Sequence, residues 1–203
     1  MADAKADSPP SGRERLVETA YHLFSQRGFE AVSLADIAGE VGLTKQAIIY
    51  HFKNKNALYG EVLAQLALRL TAIVDGVRDR DLEPDAKWAR LMREFLDHAE
   101  SRPDDSGLIA RELLDNRERA RDKQRWYLRD FLNDWVDLYG ATQQGSGQDL
   151  ATQRLMVYRQ IGAITYLVIS EATLGAIWGG EAVAQMQQVQ RDMLQGDGAP
   201  TDS

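Results

Sequence analysis

Cysteine is absent from all 203 residues. That excludes a disulfide framework and any thiolate metal site. Histidine is scarce, and His22, His51 and His98 stand far apart with no metal-ligand spacing, so no metal or other cofactor is expected. No glycine-rich phosphate loop and no nucleophile–base pairing occur, which argues against an enzyme. Proline is sparse, and alternation of apolar and polar residues, the mark of half-buried strands, is missing. Uninterrupted apolar runs are missing too. The one membrane suspect, Ile161–Trp178, carries Glu171 and several Ser, Thr and Gly residues, and it reads better as a helix buried on several sides than as a span. The opening segment MADAKADSPPSG has no apolar core, so it reads as a disordered lead-in over 1–12, not a signal peptide. A reducing cytoplasm is the expected location.

An excess of basic charge is also lacking: the net charge is −7. Its distribution matters more than its sum. Residues 61–203 hold 17 Lys+Arg against 24 Asp+Glu, whereas residues 1–60 hold 7 of each. Between 41 and 60 stand Lys45, Lys53 and Lys55 and no acid. One short stretch of an acidic protein is therefore locally positive.

What is present is helical periodicity from end to end. The first helix is predicted over Arg13–Arg27, with Leu16, Ala20, Leu23 and Phe24 on one face and Gly28 at its end. Ser33 suits an N-cap with Asp36 as its capping-box partner, and Leu34, Ile37, Ala38 and Val41 form the inner face of the second helix. Gly42 permits a sharp turn, Thr44 caps a third helix running to about Phe52, and Asn54 caps a long fourth helix to about Asp75. Five more helices are predicted: Asp85–Ser101, Ser106–Asn116, Arg119–Tyr139, Asp149–Ile177 and Glu181–Leu194. GATQQGSGQ reads as a flexible loop, and RERARDKQR, Arg117–Arg125, as a solvated face of mixed sign.

The stretch Val32–Leu58 is two short helices around a glycine turn, followed by basic and aromatic residues. Such an arrangement places one helix in the DNA major groove while flanking residues grip phosphates. On the third helix Lys45, Gln46, Ile49 and Tyr50 share a side, and Ile48 points the other way. Lys45 can donate to guanine, Gln46 can pair with adenine, and Ala47 or Ile49 can meet a thymine methyl. Ser33 and Thr44 stand at helix N-termini, and Thr44 suits a phosphate. Tyr50, His51, Lys53 and Lys55 would hold the backbone.

These residues resemble the N-terminal head of the tetracycline-repressor (TetR) family. The resemblance runs over residues 16–60: the LF…RGF end of helix one, SLADIA, the VGL turn and YHFKNK-x-x-L. Family members usually carry an aromatic where this chain has Ile49, which departs from the pattern. The resemblance implies an all-α chain: a three-helix helix-turn-helix head, 13–58, then a helical effector-binding and dimerisation domain, 59–195, about nine helices in all, and a tail at 196–203. It further implies a homodimeric transcription regulator, usually a repressor, released from a palindromic double-stranded DNA operator by a small ligand. The competing reading is a nucleoid-type or protein-regulated DNA-binding factor without an inducer.

For the body, the candidate pocket residues are Leu66, Trp88, Met92, Phe95, His98, Trp126, Phe131, Tyr158 and Tyr166, suiting an apolar or aromatic compound of unknown identity. As a set, the aromatics Trp88, Phe95, Trp126, Tyr127, Phe131 and Trp135 read mainly as core. Ala182, Met186, Val189 and Met193 form a narrow seam that, with Ile161 and Val168, is the candidate dimer interface.

Overall fold

The structure is a computed structural model that describes residues 11–114 and 126–196. These residues form eleven helices and no strand. The chain divides into two compact units, 1–64 and 65–203, and the division falls inside a continuous helix, Lys55–Arg78.

The first unit contains α1 (Gly12–Ala31), α2 (Leu34–Glu40), α3 (Lys45–Phe52) and the start of α4 (Lys55–Arg78). Ser11 caps α1 through a reciprocal box with Glu14, so α1 begins inside the stretch expected to be lead-in. Gly28 interrupts α1 with φ 78° and ψ 166°. This left-handed geometry costs a glycine little, and it turns Phe29 back against Tyr59 at 5.0 Å between ring centres. Phe24 meets the same tyrosine edge-on at 4.9 Å. The expected box on α2 is present: Asp36 N–H donates to the Ser33 hydroxyl at 3.1 Å, and Ser33 N–H donates to the Asp36 carboxylate at 2.8 Å. Gly42, φ 67°, makes the turn into α3. The head core is Leu16, Ala20, Phe24, Ile37, Ile48 and Leu58, each with almost no exposed surface.

The second unit holds the rest of α4 together with α5 (Pro84–Ser101), α6 (Pro103–Leu114), α7 (Arg129–Gly140), α8 (Gln143–Ser146), α9 (Leu150–Ile169), α10 (Glu171–Trp178) and α11 (Gly180–Gly196). α9 packs against α6, α7 and α5, and α11 packs against α10 and α5. Trp88, Phe95, Phe131, Trp135 and Tyr139 stack in one aromatic core, with Phe95 and Trp135 5.0 Å apart and Phe131 and Trp135 5.4 Å apart.

Several expectations change. Trp126–Leu128 are not helical, and of the helix expected over Arg119–Tyr139 the described residues show a helix that starts at Arg129. Arg117–Arg125, residues 1–10 and residues 197–203 lie outside the described residues. GATQQGSGQ is built, not loose. Thr142 caps α8 by accepting from Gly145 N–H at 3.0 Å, and the Gln153 amide donates to the carbonyls of Gly145 and Gln148. The helix expected over Asp149–Ile177 breaks at Ser170, with a 68° bend between α9 and α10. The short α8 within the expected loop and the break at Ser170 take the count from about nine helices to eleven among the described residues. α10 has no buried residue, which corrects the expectation that Ile161–Trp178 is buried on several sides. Among the described residues, the helix long and apolar enough to cross a membrane by length and composition is α4, and the bent α9–α10 pair passes only if taken together.

Candidate functional site

The head presents α3 as a helix with two unlike sides. Ile48 and Phe52 are buried, Ile48 at 0% exposure, because they face α1 and α2. Lys45, Gln46, Tyr50 and His51 are exposed, Tyr50 at 86% and Ile49 at 44%, while Ala47 is half-buried. At helical spacing, positions 46 and 50 fall opposite 48 and 52, and positions 45 and 49 lie at the edge between the two sides. A helix eight residues long thus offers one apolar side to the core and one mixed side to solvent.

Both ends of that helix are defined. At its start the Thr44 hydroxyl accepts from Ala47 N–H at 3.3 Å. At its end Lys53 donates its backbone N–H to the Ile49 carbonyl at 2.9 Å with φ 65°, a conformation unusual for a side-chain-bearing residue. Asn54 caps α4 by accepting from Ala57 N–H at 2.9 Å. The Lys55 ammonium lies 4.2 Å over the Phe29 ring and 3.4 Å from the Glu30 carbonyl. Lys55 is therefore half-buried and partly engaged within the head. Arg13 stacks 5.0 Å from the Phe52 ring and pairs with Glu61 at 3.1 Å, tying the start of α1 to the end of α3 and to α4. Asp36 has its carboxyl pKa lowered, first by the Ser33 backbone hydrogen bond and then by the Ser33 hydroxyl.

In the second unit the candidate pocket residues separate. Tyr158 and Tyr166 line a cavity of about 330 Å³ between α6 and α9. Leu66, Met92, Phe95 and Phe131 do not line it. They are buried in the core, and Trp88 is locked against Trp135 at 5.7 Å. Trp126 is half-buried and also away from that cavity. His98 is engaged elsewhere, 2.8 Å from the carboxylate of the buried Asp105. The Arg69 guanidinium meets that carboxylate with two hydrogen bonds, at 2.5 and 2.9 Å. Their spacing matched a pocket wall because a core wall and a cavity wall share the same apolar periodicity. Residues that the sequence did not single out, among them Ile109, Leu113, Gly162 and Thr165, complete the lining of that cavity.

Among the candidate dimer residues, Ile161 is buried inside its own protomer at 1% exposure, which corrects its assignment to an outer face. Val168, Ala182 and Met186 are half-buried, and Val189 and Met193 are exposed. No group of three or more His, Cys, Asp or Glu poised for a metal occurs among the described residues.

Three helices, a glycine turn and a solvent-facing third helix define the class: a helix-turn-helix head joined to a helical body. Residues 16–62 match the model of the family described as bacterial regulatory proteins, tetR family, so the head is similar to the heads of that family. The HTH-type transcriptional regulator AcrR of Shigella flexneri is 42% identical over 62 residues, 30% of this chain and 29% of that protein. The probable acrEF/envCD operon repressor of Escherichia coli K12 is 43% identical over 58 residues, 28% of this chain and 26% of that protein. The chain thus matches less than a third of the length of these curated relatives. Solved structures extend the likeness in fold. A TetR-like transcriptional regulator from Rhodococcus sp. RHA1 superposes with TM-score 0.60 at 17% identity, covering 91% of this chain and 96% of that one. The fatty acid degradation regulator FadR from Bacillus halodurans gives TM-score 0.62 at 15% identity, covering 92% and 96%.

Proposed function

We propose that this chain is a sequence-specific DNA-binding transcriptional regulator. In this reading it is a cytoplasmic repressor that sits as a homodimer on a near-palindromic operator and leaves when a small ligand binds the helical body. The observation that carries the reading is the outer side of α3: Lys45, Gln46, Ile49 and Tyr50 exposed on a helix clamped from behind by Ile48 and Phe52. Lys45 suits guanine O6 and N7, Gln46 suits adenine N6 and N7, and Ile49 suits a thymine methyl. Thr44, Tyr50 and His51 grip phosphates and set the register, and Ser33 lies at the N-terminus of α2 for the same purpose. Lys55 contributes charge more than a direct contact, because its ammonium already serves the Phe29 ring and the Glu30 carbonyl.

Two-fold symmetry of a dimer requires two half-sites about one helical turn, ~34–36 Å, apart. The exposed Val189 and Met193 on α11, with the uncovered α10, are the faces this reading assigns to the partner copy. A ligand that prefers a conformation with wrongly placed heads lowers the DNA-competent population, and a coupling of about 1–3 kcal/mol suffices for useful control. The acidic body opposes indiscriminate DNA binding, which favours this reading over a nucleoid-type role.

The test is selection of bound duplexes from a random pool. The expected product is a two-fold symmetric sequence, with preference at one position per half-site relaxed by about 1–3 kcal/mol in Gln46→Ala. No enrichment of any sequence at low ionic strength overturns the proposal.

A further inference from the structure

The turn that joins α3 to α4 is strained. Lys53 holds φ 65° and ψ −49°, and the Asn54 N–H donates across it to the Phe52 carbonyl at 2.7 Å. Those angles and that bond make a γ-turn of the positive-φ kind, which is rare and strained. The other described residues with positive φ are Gly28, Gly42 and Gly179, for which such angles cost little. Lys53 carries a Cβ, and a strained residue of that sort persists only where its surroundings over-determine it. Arg13 is placed to do this. Its guanidinium lies 5.0 Å from the centre of the Phe52 ring, on the arm entering the turn. It also pairs at 3.1 Å with Glu61, on the arm leaving it. The Phe52 ring is itself buried, so the arm that carries it is anchored. Arg13 stands in the first turn of α1, behind the capping box of Ser11 and Glu14. A cation there opposes the helix dipole, so α1 alone does not explain its place. A surface ion pair or cation–π contact is weak by itself, but here both act on one guanidinium and both oppose the opening of one turn.

We propose that Arg13 is a positioning residue for DNA binding: its guanidinium clamps the two arms of the Lys53 turn together and so holds the last turn of α3 in its reading pose. The consequence follows from local bonds. The Lys53 N–H closes the last turn of α3 on the Ile49 carbonyl at 2.9 Å. Relaxing the turn releases that bond, and Tyr50 and His51, both exposed in this last turn, lose their fixed direction. Arg13 therefore acts through Phe52 and Glu61 and touches no phosphate. The proposal rests on the DNA-binding half of the functional reading above, and it adds to it a residue on α1, outside the two helices of the reading motif.

The test is a double-mutant cycle on the full chain. Lys53→Ala and Lys53→Gly both remove the ammonium, but only glycine relieves the strain. Without DNA, thermal melts should place Lys53→Gly above Lys53→Ala. The margin should shrink once Arg13→Met is added, because a freed turn has less strain left to lose. The DNA probe is the symmetric duplex enriched from a random pool by the native chain. Arg13→Met weakens its binding by about threefold to thirtyfold in the Lys53→Ala background, the combined worth of one surface cation–π contact and one surface ion pair. In the Lys53→Gly background the loss is under about twofold. In the native background Arg13→Met leaves the slope of log affinity against log salt unchanged, whereas loss of a phosphate contact would lower it by about 0.9. Glu61→Ala leaves the guanidinium on the ring and keeps the test decisive if Arg13→Met does not fold. Removing an acid strengthens DNA binding by charge alone; the clamp instead weakens it by about twofold to fivefold. Equal losses in the two Lys53 backgrounds overturn the proposal, as do equal margins in the melts, a salt slope lowered by about one in Arg13→Met, or tighter binding by Glu61→Ala. A native chain that enriches no duplex sinks the DNA-binding reading together with the role given to Arg13, while the melts still show whether the clamp exists.

Discussion

Ile48 and Tyr50 lie two residues apart on α3 and should respond oppositely to truncation. Ile48→Ala removes a methylene and two methyls from a site with 0% exposure. At ~0.8 kcal/mol per buried carbon the transfer loss is about 2.4 kcal/mol. The void left where α3 packs on α1 and α2 brings the total to about 3–4 kcal/mol, inside the range of about 2–5 kcal/mol for such substitutions. A unit of 64 residues at ~0.05–0.15 kcal/mol per residue has only about 3–10 kcal/mol to lose. The head should therefore melt roughly 12–30 °C lower, at ~4–8 °C per kcal/mol for a domain of this size. Tyr50→Ala removes a side chain that is 86% exposed and whose described ring contact is an edge-on meeting with His51 at 5.2 Å. Its stability cost should stay below about 0.5 kcal/mol. The assay pairs urea unfolding of the full chain, followed by circular dichroism with separate transitions allowed for the two units, with titration of operator DNA. Ile48→Ala should lose head stability and DNA binding together, whereas Tyr50→Ala should lose DNA affinity alone. An Ile48→Ala cost below about 1 kcal/mol, or a Tyr50→Ala cost as large as that of Ile48→Ala, refutes the division of α3 into a clamped and a reading side.

Asp105→Ala should cost about 3–5 kcal/mol in unfolding measurements, since it strands the Arg69 guanidinium and His98 beside a fully buried site. In a double-mutant cycle, adding Arg69→Met should recover part of that loss; a strictly additive result refutes the pairing. Gly145→Ala should destabilise the second unit by more than ~1 kcal/mol, seen as a lower thermal midpoint, because the new Cβ falls 2.0 Å from the Tyr139 carbonyl oxygen. The lowered Asp36 pKa adds stability above the ordinary carboxylate range, and that stability is lost as pH falls through the depressed value. The stability gap between the native chain and Asp36→Asn should accordingly close in strong acid, and a gap that widens there refutes the capping assignment. Glu100 shifts the other way: burial raises its pKa despite the Arg191 guanidinium at 2.7 Å. The native chain should thus lose stability relative to Glu100→Gln as pH rises from the ordinary carboxylate range through the raised value.

The head was legible because its signals are local. Ser33 and Asp36, Thr44, Asn54 and the two glycines at 28 and 42 act within three or four residues of themselves, and caps and left-handed turns depend on little else. The side of α3 that faces solvent followed from a period of 3.6 once Ile48 was placed inside. The reading side of the candidate site was therefore visible in the chain itself. The body was less legible. Its breaks at Ser170 and Trp126–Leu128 carry no proline or glycine to mark them, and Pro103, in the gap expected between Ser101 and Ser106, is the first residue of α6. GATQQGSGQ looked loose because its order comes from Gln153 on the next helix, not from its own residues.

By itself the chain determined its helical class, the caps and glycine turn of the head and the solvent-facing residues of α3, since each depends on near neighbours and on helical period. Tertiary structure decided which apolar residues fill the core and which border an empty space. Leu66, Phe95 and Phe131 are as apolar as Ile109 and Leu113, and only the packing of α6 against α9 tells them apart. Burial is a property of partners brought from far along the chain, so periodicity records that a residue faces inward without recording what it meets there.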